Sequence, residues 1–382
     1  MKILYLTIWN FDKKESDGVA KKILQQVDTF RNSGIETDYT YILKNEKKVC
    51  VNVLGKEKII GKYRKIKGIE SCLILKEYLR KTQYTDVYFR NPGRIDPWVI
   101  SLLKLLHKQG SKILYEIPTF PYDMELTSSF HARIDLRIDR FFRKEIKKYV
   151  NKVVTYSSHK MIYGVSTIRI INGIVVDKVK LVEGDDLHQT INLVAVGIFQ
   201  KAHGYERIIK GLYEYYKVNG ERDIIFHMVG YGEQLDFYQN MVRDLNLENR
   251  VWFYGKKSGK ELDEIFEKMD IALSCFGFYK NNIQRSSALK VREYLARGMP
   301  IVTGCYEDVR DVKETDYILT FPNDNAVVSI ERIVQFYDDI YKCKRNRKDI
   351  HKEIREYAEE IIDIKRTMCP IIKYLTEDKN GC

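Results

Sequence analysis

Gln284-Arg-Ser-Ser-Ala-Leu-Lys-Val-Arg-Glu-Tyr-Leu-Ala-Arg-Gly-Met-Pro300 is the stretch from which the fold of this chain is read. Ser286 or Ser287 suits a helix N-cap, Gly298 stops the helix, and Met299-Pro300 leads into an apolar run, Ile301 to Thr303, that predicts a buried strand. A helix running straight into a buried strand is half of a βαβ unit. Lys290 and Glu293 lie three apart, so both project from one side of the first two turns. An anion at that helix start would meet unpaired N–H groups, the positive end of the dipole and an ammonium together. Glu293, one turn deeper, would accept from vicinal hydroxyls such as those of a ribose. The same spacing also fits an ion pair between the two side chains on a core helix.

On either side of this stretch the pattern repeats. Toward the N-terminus, Lys2 to Ile8 predicts a strand, and Val19, Ile23, Leu24, Val27 and Phe30 recur at helical spacing before Asn32-Ser33-Gly34. Further strands are expected at Asp86 to Phe89, Ile113 to Ile117 and Lys152 to Tyr156. A second series begins at Ile191 to Val196 and continues near Ile224 to Val229, Val251 to Phe253, Ile271 to Ser274 and Ile301 to Thr303. Helices are expected between them, as at Tyr205 to Lys217 and Glu261 to Met269. Two successive doubly wound α/β units account for this alternation better than one long sheet. Glu183-Gly184-Asp185-Asp186 reads as the linker, giving domains 1–185 and 186–345. Residues 346–382 are expected to form a charged helical segment that packs back on the first domain.

A chain of 382 residues, 44% hydrophobic and 31% charged with 7 Pro and 22 Gly, has the composition of two folded domains and excludes disordered and collagenous classes. No stretch approaches an uninterrupted membrane-spanning run, and the N-terminus lacks a signal-peptide layout, so a cytoplasmic location is expected. Seven scattered cysteines with no C-x-x-C pair read as reduced, mostly buried thiols. The net charge of +12 is unevenly placed: residues 1–185 hold 35 basic and 21 acidic side chains, residues 186–382 hold 30 and 32. Cation-rich runs at Lys56 to Lys67 and Arg133 to Lys148, read as helix faces and loops, suit anionic lipid headgroups or a polyphosphate acceptor, or are simply a solvated basic surface. No zinc-finger, RRM-type or helix-turn-helix signature accompanies the charge, so nucleic acid is not the expected partner.

Neither a complete G-x-G-x-x-G fingerprint nor a P-loop is present, which argues against a standard dinucleotide oxidoreductase or P-loop enzyme. Single glycines stand at strand-to-helix turns: Gly18, Gly204, and Gly230 with Gly232. Each either lends backbone N–H groups to a phosphate or makes an ordinary tight turn. Tyr254, Phe276 and Phe278 either stack on a base or pack in the core.

The segment Leu289 to Pro300 resembles the family 4 glycosyltransferases of the GT-B fold, in particular a bacterial branch with Leu-Lys-x-Arg-Glu-Tyr-Leu-Ala-x-Gly-x-Pro and His-Gly-Tyr-x-Arg motifs. The resemblance extends in order through Gly18-Val-Ala-Lys-Lys22, Glu116-Ile-Pro-Thr-Phe-Pro-Tyr-Asp123, Asn172-Gly-Ile174 and His203-Gly-Tyr-Glu-Arg207. It implies two Rossmann-like doubly wound domains facing a central cleft, the first binding an acceptor and the second a nucleotide-sugar donor, a UDP-sugar first. It further implies transfer with retention of configuration to a glycan, glycolipid or lipid-linked glycoconjugate in bacterial surface polysaccharide synthesis. No metal or other cofactor is implied, because basic side chains and N–H groups neutralise the departing diphosphate. In such transfer the leaving phosphate itself takes the acceptor's proton. By the same resemblance, donor contacts fall to Gly18, His203, Gly204, Arg207, Gly230, Ser286, Ser287 and Glu293, and the catalytic cations are Lys290, Lys201 and Arg285.

Some positions depart from the family pattern. Glu293 matches the second of two glutamates spaced eight apart, but Arg285 occupies the place of the first, either as a replacement phosphate ligand or as a sign of lost activity. Ile198 stands where an arginine is usual, His203 where a lysine is usual, and Pro118 about where many members carry a histidine. These departures keep open a catalytically silent GT-B partner or chaperone of another transferase. A sugar-nucleotide epimerase or phosphorylase on the same fold is a third reading.

Overall fold

Lys2-Ile-Leu-Tyr-Leu6 forms β1, whose residues from Ile3 onward are fully buried, and the chain then enters α1 (Gly18–Asn32). The Asp17 carboxylate caps this helix by accepting from the N–H groups of Val19 and Ala20. The computed structural model describes residues 1–13, 17–65, 67–123, 130–184, 189–341 and 346–377.

Beyond α1 the first unit continues with β2 (Glu36–Leu43), β3 (Lys48–Val53), β4 (Lys56–Lys62), α2 (Lys67–Lys81), β5 (Asp86–Arg90), α3 (Pro97–Lys108), β6 (Lys112–Ile117), α4 (Phe130–Phe142), β7 (Lys152–Thr155), β8 (Met161–Ile162) and β9 (Val165–Arg169). Its nine strands run in the order β4-β3-β2-β1-β5-β6-β7-β9-β8. The centre, from β2 to β9, is parallel, whereas β2-β3-β4 and β8-β9 pair antiparallel. The run Lys56–Lys62, read from sequence as helix face or loop, is therefore the outer strand of an antiparallel ribbon. Its lysines suit an exposed sheet edge, where charge opposes pairing with a further chain.

The second unit holds β10 (Ile191–Ile198), α5 (Glu206–Lys217), β11 (Ile224–Tyr231), α6 (Leu235–Asp244), β12 (Val251–Gly255), α7 (Lys260–Phe266), β13 (Ile271–Leu273), β14 (Arg285–Ser286), α8 (Leu289–Ala296), β15 (Ile301–Thr303), β16 (Tyr306–Glu307), β17 (Ile318–Thr320), α9 (Ile330–Tyr341) and α10 (Arg347–Ile362). Its main sheet is wholly parallel, in the order β12-β11-β10-β13-β15-β17, and β14 pairs with β16 separately. In each unit the winding reverses at the first strand: β1 lies between β2 and β5, and β10 between β11 and β13. The crevice outside the carboxyl ends of strands at such a reversal is where open α/β sheets take ligands.

The units comprise Met1–Ile170 with Thr367–Cys382, and Ile171–Arg366. The division thus falls before Ile171 and not near residue 185, because Ile171, Val176 and Val182 are buried in the second unit's core. Val182 N–H also donates to the Arg297 carbonyl at 3.0 Å. Asp185 and Asp186 of the expected linker lie outside the described residues. The expected C-terminal segment is two helices, not one, since Asp363 is extended (φ −59°, ψ 134°) between α10 and α11 (Ile364–Glu377). Helix α10 lends Ile350, Ile354 and Ile362 to the second unit's core. Residues from Thr367 belong to the first unit, where Lys112 Nζ bonds the Tyr374 carbonyl at 2.9 Å and lies 4.2 Å from that ring's centre.

Candidate functional site

The site is built at the carboxyl ends of β10 and β11. Gly197 and Gly230 face each other in register there, with φ of 151° and 148°. A Cβ on Gly230 would lie 1.9 Å from the Gly197 carbonyl oxygen, so glycine is required for the two strands to end this close together. Gly204 (φ 63°) is needed for another close approach, since a Cβ there would lie 2.4 Å from the Gly277 nitrogen. The Phe276 N–H donates to the His203 carbonyl at 2.7 Å, which ties the His203 turn to the segment after β13.

Above Gly197 stand two nitrogen groups. A Cβ on this glycine would lie 3.4 Å from Lys290 Nζ and 3.7 Å from His203 Nε2. Lys290 occupies the first turn of α8 and donates to the Tyr205 hydroxyl at 3.3 Å, and that hydroxyl in turn reaches the Leu273 carbonyl at 3.4 Å. Among the described residues no carboxylate lies within ion-pair distance of this ammonium. Burial holds its pKa below the usual lysine range. His203 Nδ1 lies 3.0 Å from the Gln200 nitrogen and 3.3 Å from its carbonyl oxygen, and acceptance from the nearer N–H assigns the ring proton to Nε2. Burial first and the Lys290 charge second push the His203 pKa down to about 3, so the ring is neutral.

The start of α8 differs from the expected one. Neither Ser286 nor Ser287 is the N-cap. Ser286 belongs to β14 and accepts from the Ala288 N–H at 3.2 Å. Ser287 Oγ accepts from Arg292 at 3.2 Å, and its carbonyl accepts from Asn172 Nδ2 at 2.8 Å. Ala288 is the cap, and no side chain accepts from the first-turn N–H groups. The Tyr294 hydroxyl, accepting from the Val196 N–H at 2.9 Å, pins the helix to β10.

Lys290 and Glu293 do not pair with each other. Glu293 Oε1 accepts from Arg297 at 3.1 and 3.2 Å, and Arg297 also bonds Asp263 at 2.7 Å; Glu293 Oε2 has no partner among the described residues. Lys201 is exposed on the 3₁₀ turn Lys201–His203.

Three expected ligands are committed elsewhere. Arg207 is buried and donates to the carbonyls of Phe276, Pro322 and Ala326 and to Asp324, at 2.6 to 3.2 Å. It fastens loops together and presents no donor to a ligand. Arg285 is ion-paired with Asp311 and lies 5.1 Å from the centre of the Tyr306 ring. Gly18 lies in the first unit, where Asp17 already fills the start of α1 with negative charge. Tyr254 hydrogen-bonds His227 at 2.8 Å, and Phe276 is wholly buried in the core.

Two contributors escaped the sequence reading. Tyr205 is the side chain that holds Lys290. Glu307, wholly buried beside β14, is pushed up to about 7 by its burial. Its Oε1 accepts from Thr303 at 3.2 Å and Ser274 at 3.4 Å, Arg292 approaches within 3.9 Å, and Oε2 has no hydrogen bond among the described residues.

The fold class defined by these two parallel α/β units is GT-B. The sucrose-phosphate synthase (tll1590) of Thermosynechococcus elongatus superposes with a TM-score of 0.66 at 14% identity, covering 99% of this chain and 100% of that one. The lipopolysaccharide outer core galactosyltransferase WaaB, in its apo form, gives 0.61 at 14% identity, with 99% and 100% covered. Anabaena Alr3699/HepE in complex with UDP gives 0.62 at 12% identity, with 99% and 100% covered. Residues 187–358, which fall within the second unit, match the family model described as Glycosyl transferases group 1. No curated protein matches the sequence.

Proposed function

We propose that this chain is a retaining, metal-independent glycosyltransferase that moves a sugar from a nucleotide-sugar, a UDP-sugar first, to a glycan, glycolipid or glycoconjugate acceptor. The setting proposed is bacterial surface polysaccharide synthesis at an anionic membrane face. The observation that carries this reading is the Lys290 ammonium, drawn partly out of water above Gly197 with no carboxylate within ion-pair distance among the described residues. A desolvated cation lacking a protein carboxylate is stabilised by an anion from outside. The uncapped first turn of α8 adds N–H groups and the positive dipole end, and neutral His203 adds an Nε2–H donor. These donors suit a diphosphate whose charge grows as the glycosidic bond breaks. Glu293 Oε2 serves the ribose hydroxyls. The Glycosyl transferases group 1 match and the UDP and UDP-glucose bound by Anabaena HepE support this assignment.

Calorimetric titration with UDP, UDP-glucose and uridine tests it. UDP should bind, uridine should bind much more weakly, and Lys290→Ala should erase the difference. Turnover of one labelled nucleotide sugar should follow. The pairing of Arg285 with Asp311 favours one second reading, a silent partner of another transferase, and absence of any nucleotide binding at millimolar concentration would favour it.

A further inference from the structure

Helix α4 of the first unit presents two opposite faces. Leu136 and Asp139 point inward, 6% and 0% exposed. Outward, Phe141 is 77% exposed and Ile134 40%, two turns apart on one stripe. Arg133 and Arg137 on this helix, and Lys144 and Lys147 on the 3₁₀ turn Arg143–Lys148 that follows it, are all exposed, and none has an ion-pair partner among the described residues. The acids of this segment are already used. Asp135 pairs with Arg94, Glu145 with Lys148 at 2.6 Å, and Asp139 accepts from the Ile95 N–H at 2.7 Å and the Tyr122 hydroxyl at 2.9 Å.

We infer that this stripe docks the first unit on an anionic lipid surface, with Phe141 and Ile134 entering the headgroup layer and the four cations meeting lipid phosphates. An exposed phenylalanine and isoleucine ringed by unpaired cations is the surface of a helix that lies in a membrane interface. A soluble polyanion would account for the cations but not for the exposed apolar pair. The partners of α4 place the stripe in the fold: Arg94 and Ile95 follow β5, and Tyr122 follows β6. The docking face therefore adjoins the carboxyl ends of those strands, the end at which the sheet would take a ligand. The inference stands on α4 and the 3₁₀ turn that follows it. It gives the proposed transfer reaction a lipid-borne acceptor, and its test does not depend on that reaction.

The test is co-sedimentation of the full chain with vesicles of phosphatidylcholine alone and with one-third phosphatidylglycerol. Binding is expected only to the anionic vesicles and should fall as salt rises. Arg137→Gln and Lys144→Gln should each weaken it about fivefold. Ile134→Ser with Phe141→Ser should weaken it at least about tenfold. All four side chains are exposed, so circular dichroism and melting should be unchanged. Equal binding to neutral vesicles, no binding to anionic vesicles at low salt, or unchanged binding by the variants overturns the inference. Polyphosphate that binds the wild type and the Phe141→Ser variant alike, with no vesicle binding, would assign the patch to a soluble polyanion instead.

Discussion

Each unit sets a cation near the carboxyl ends of its central strands, Arg90 buried in the first and Lys290 half-buried in the second, and the two are treated in opposite ways. In the first, Arg90 at the end of β5 donates to the Glu116 carboxylate at 2.7 Å, and the Tyr156 hydroxyl bonds the same oxygen at 2.8 Å. Tyr5 joins the cluster through Gln26 at 2.6 Å. Although burial acts against it, the Arg90 charge keeps Glu116 below the ordinary carboxylate range. In the second, Lys290 bonds the Tyr205 hydroxyl, and no carboxylate lies within ion-pair distance of it among the described residues. The contrast is what the proposed role of Lys290 rests on: a cation given no close counter-ion by the chain is open to an anionic ligand.

The sharpest way to break this contrast is to remove the counter-ion that exists. Glu116→Ala should cost about 3 to 5 kcal/mol of stability, since Arg90 would be left buried and unpaired. Chemical denaturation should register this as a lower midpoint, and an unchanged midpoint would mean that the pair contributes nothing. Next in size, Lys290→Ala should raise the barrier to transfer by about 2 to 4 kcal/mol while leaving the melting temperature nearly unchanged, because no protein charge is orphaned. Full activity in that variant would remove Lys290 from the reaction. Tyr205→Phe deletes only the hydroxyl that holds the ammonium and should weaken UDP by about 1 kcal/mol, with little change in uridine affinity; equal losses for both ligands would mean a general packing defect.

A further contrast between the units is expected in acid stability. His203, His227 and His351 are all in the second unit and are buried with pKa values pushed down to about 3, 4 and 4. Below about pH 6.5 the unfolded chain binds protons that the folded unit refuses, so stability falls as the pH drops through that window. Glu307, raised to about 7, acts in the opposite sense between its ordinary value and neutrality and offsets part of this. In the first unit Glu116 is held low, so its contribution is lost only once the pH falls below its ordinary titration range. Hydrogen exchange at pH 7.5 and 5, corrected for intrinsic rates, should show the second unit losing protection first. The reverse order would contradict the assigned burial of its histidines.

The central parallel strands were legible because each is a short apolar run between turn residues, and β15 coincides with the Ile301 to Thr303 expectation. The antiparallel ribbon was not. Lys-Glu-Lys-Ile-Ile-Gly-Lys of β4 carries no buried face of its own and becomes a strand only by pairing with β3. Lys290 was readable from helical spacing, and so was the Arg297 partner of Glu293, four residues on along the same helix, although it went unread. The role of Arg207 was hidden, because its partners Pro322, Asp324 and Ala326 lie more than a hundred residues away in the chain and Phe276 lies 69 away. The N-cap was misplaced because the Ser287 hydroxyl accepts instead from Arg292 at 3.2 Å and from the N–H of Asn172, remote in sequence, at 3.4 Å.

The return of the chain at Asp363 has a consequence for synthesis. The second unit lies between the two pieces of the first in chain order, so on the ribosome it can fold to completion while its predecessor still lacks a last helix. A nascent chain halted just past α10 would thus carry a finished second unit and an incomplete first one, and the Lys112 ammonium would be waiting for a carbonyl not yet made.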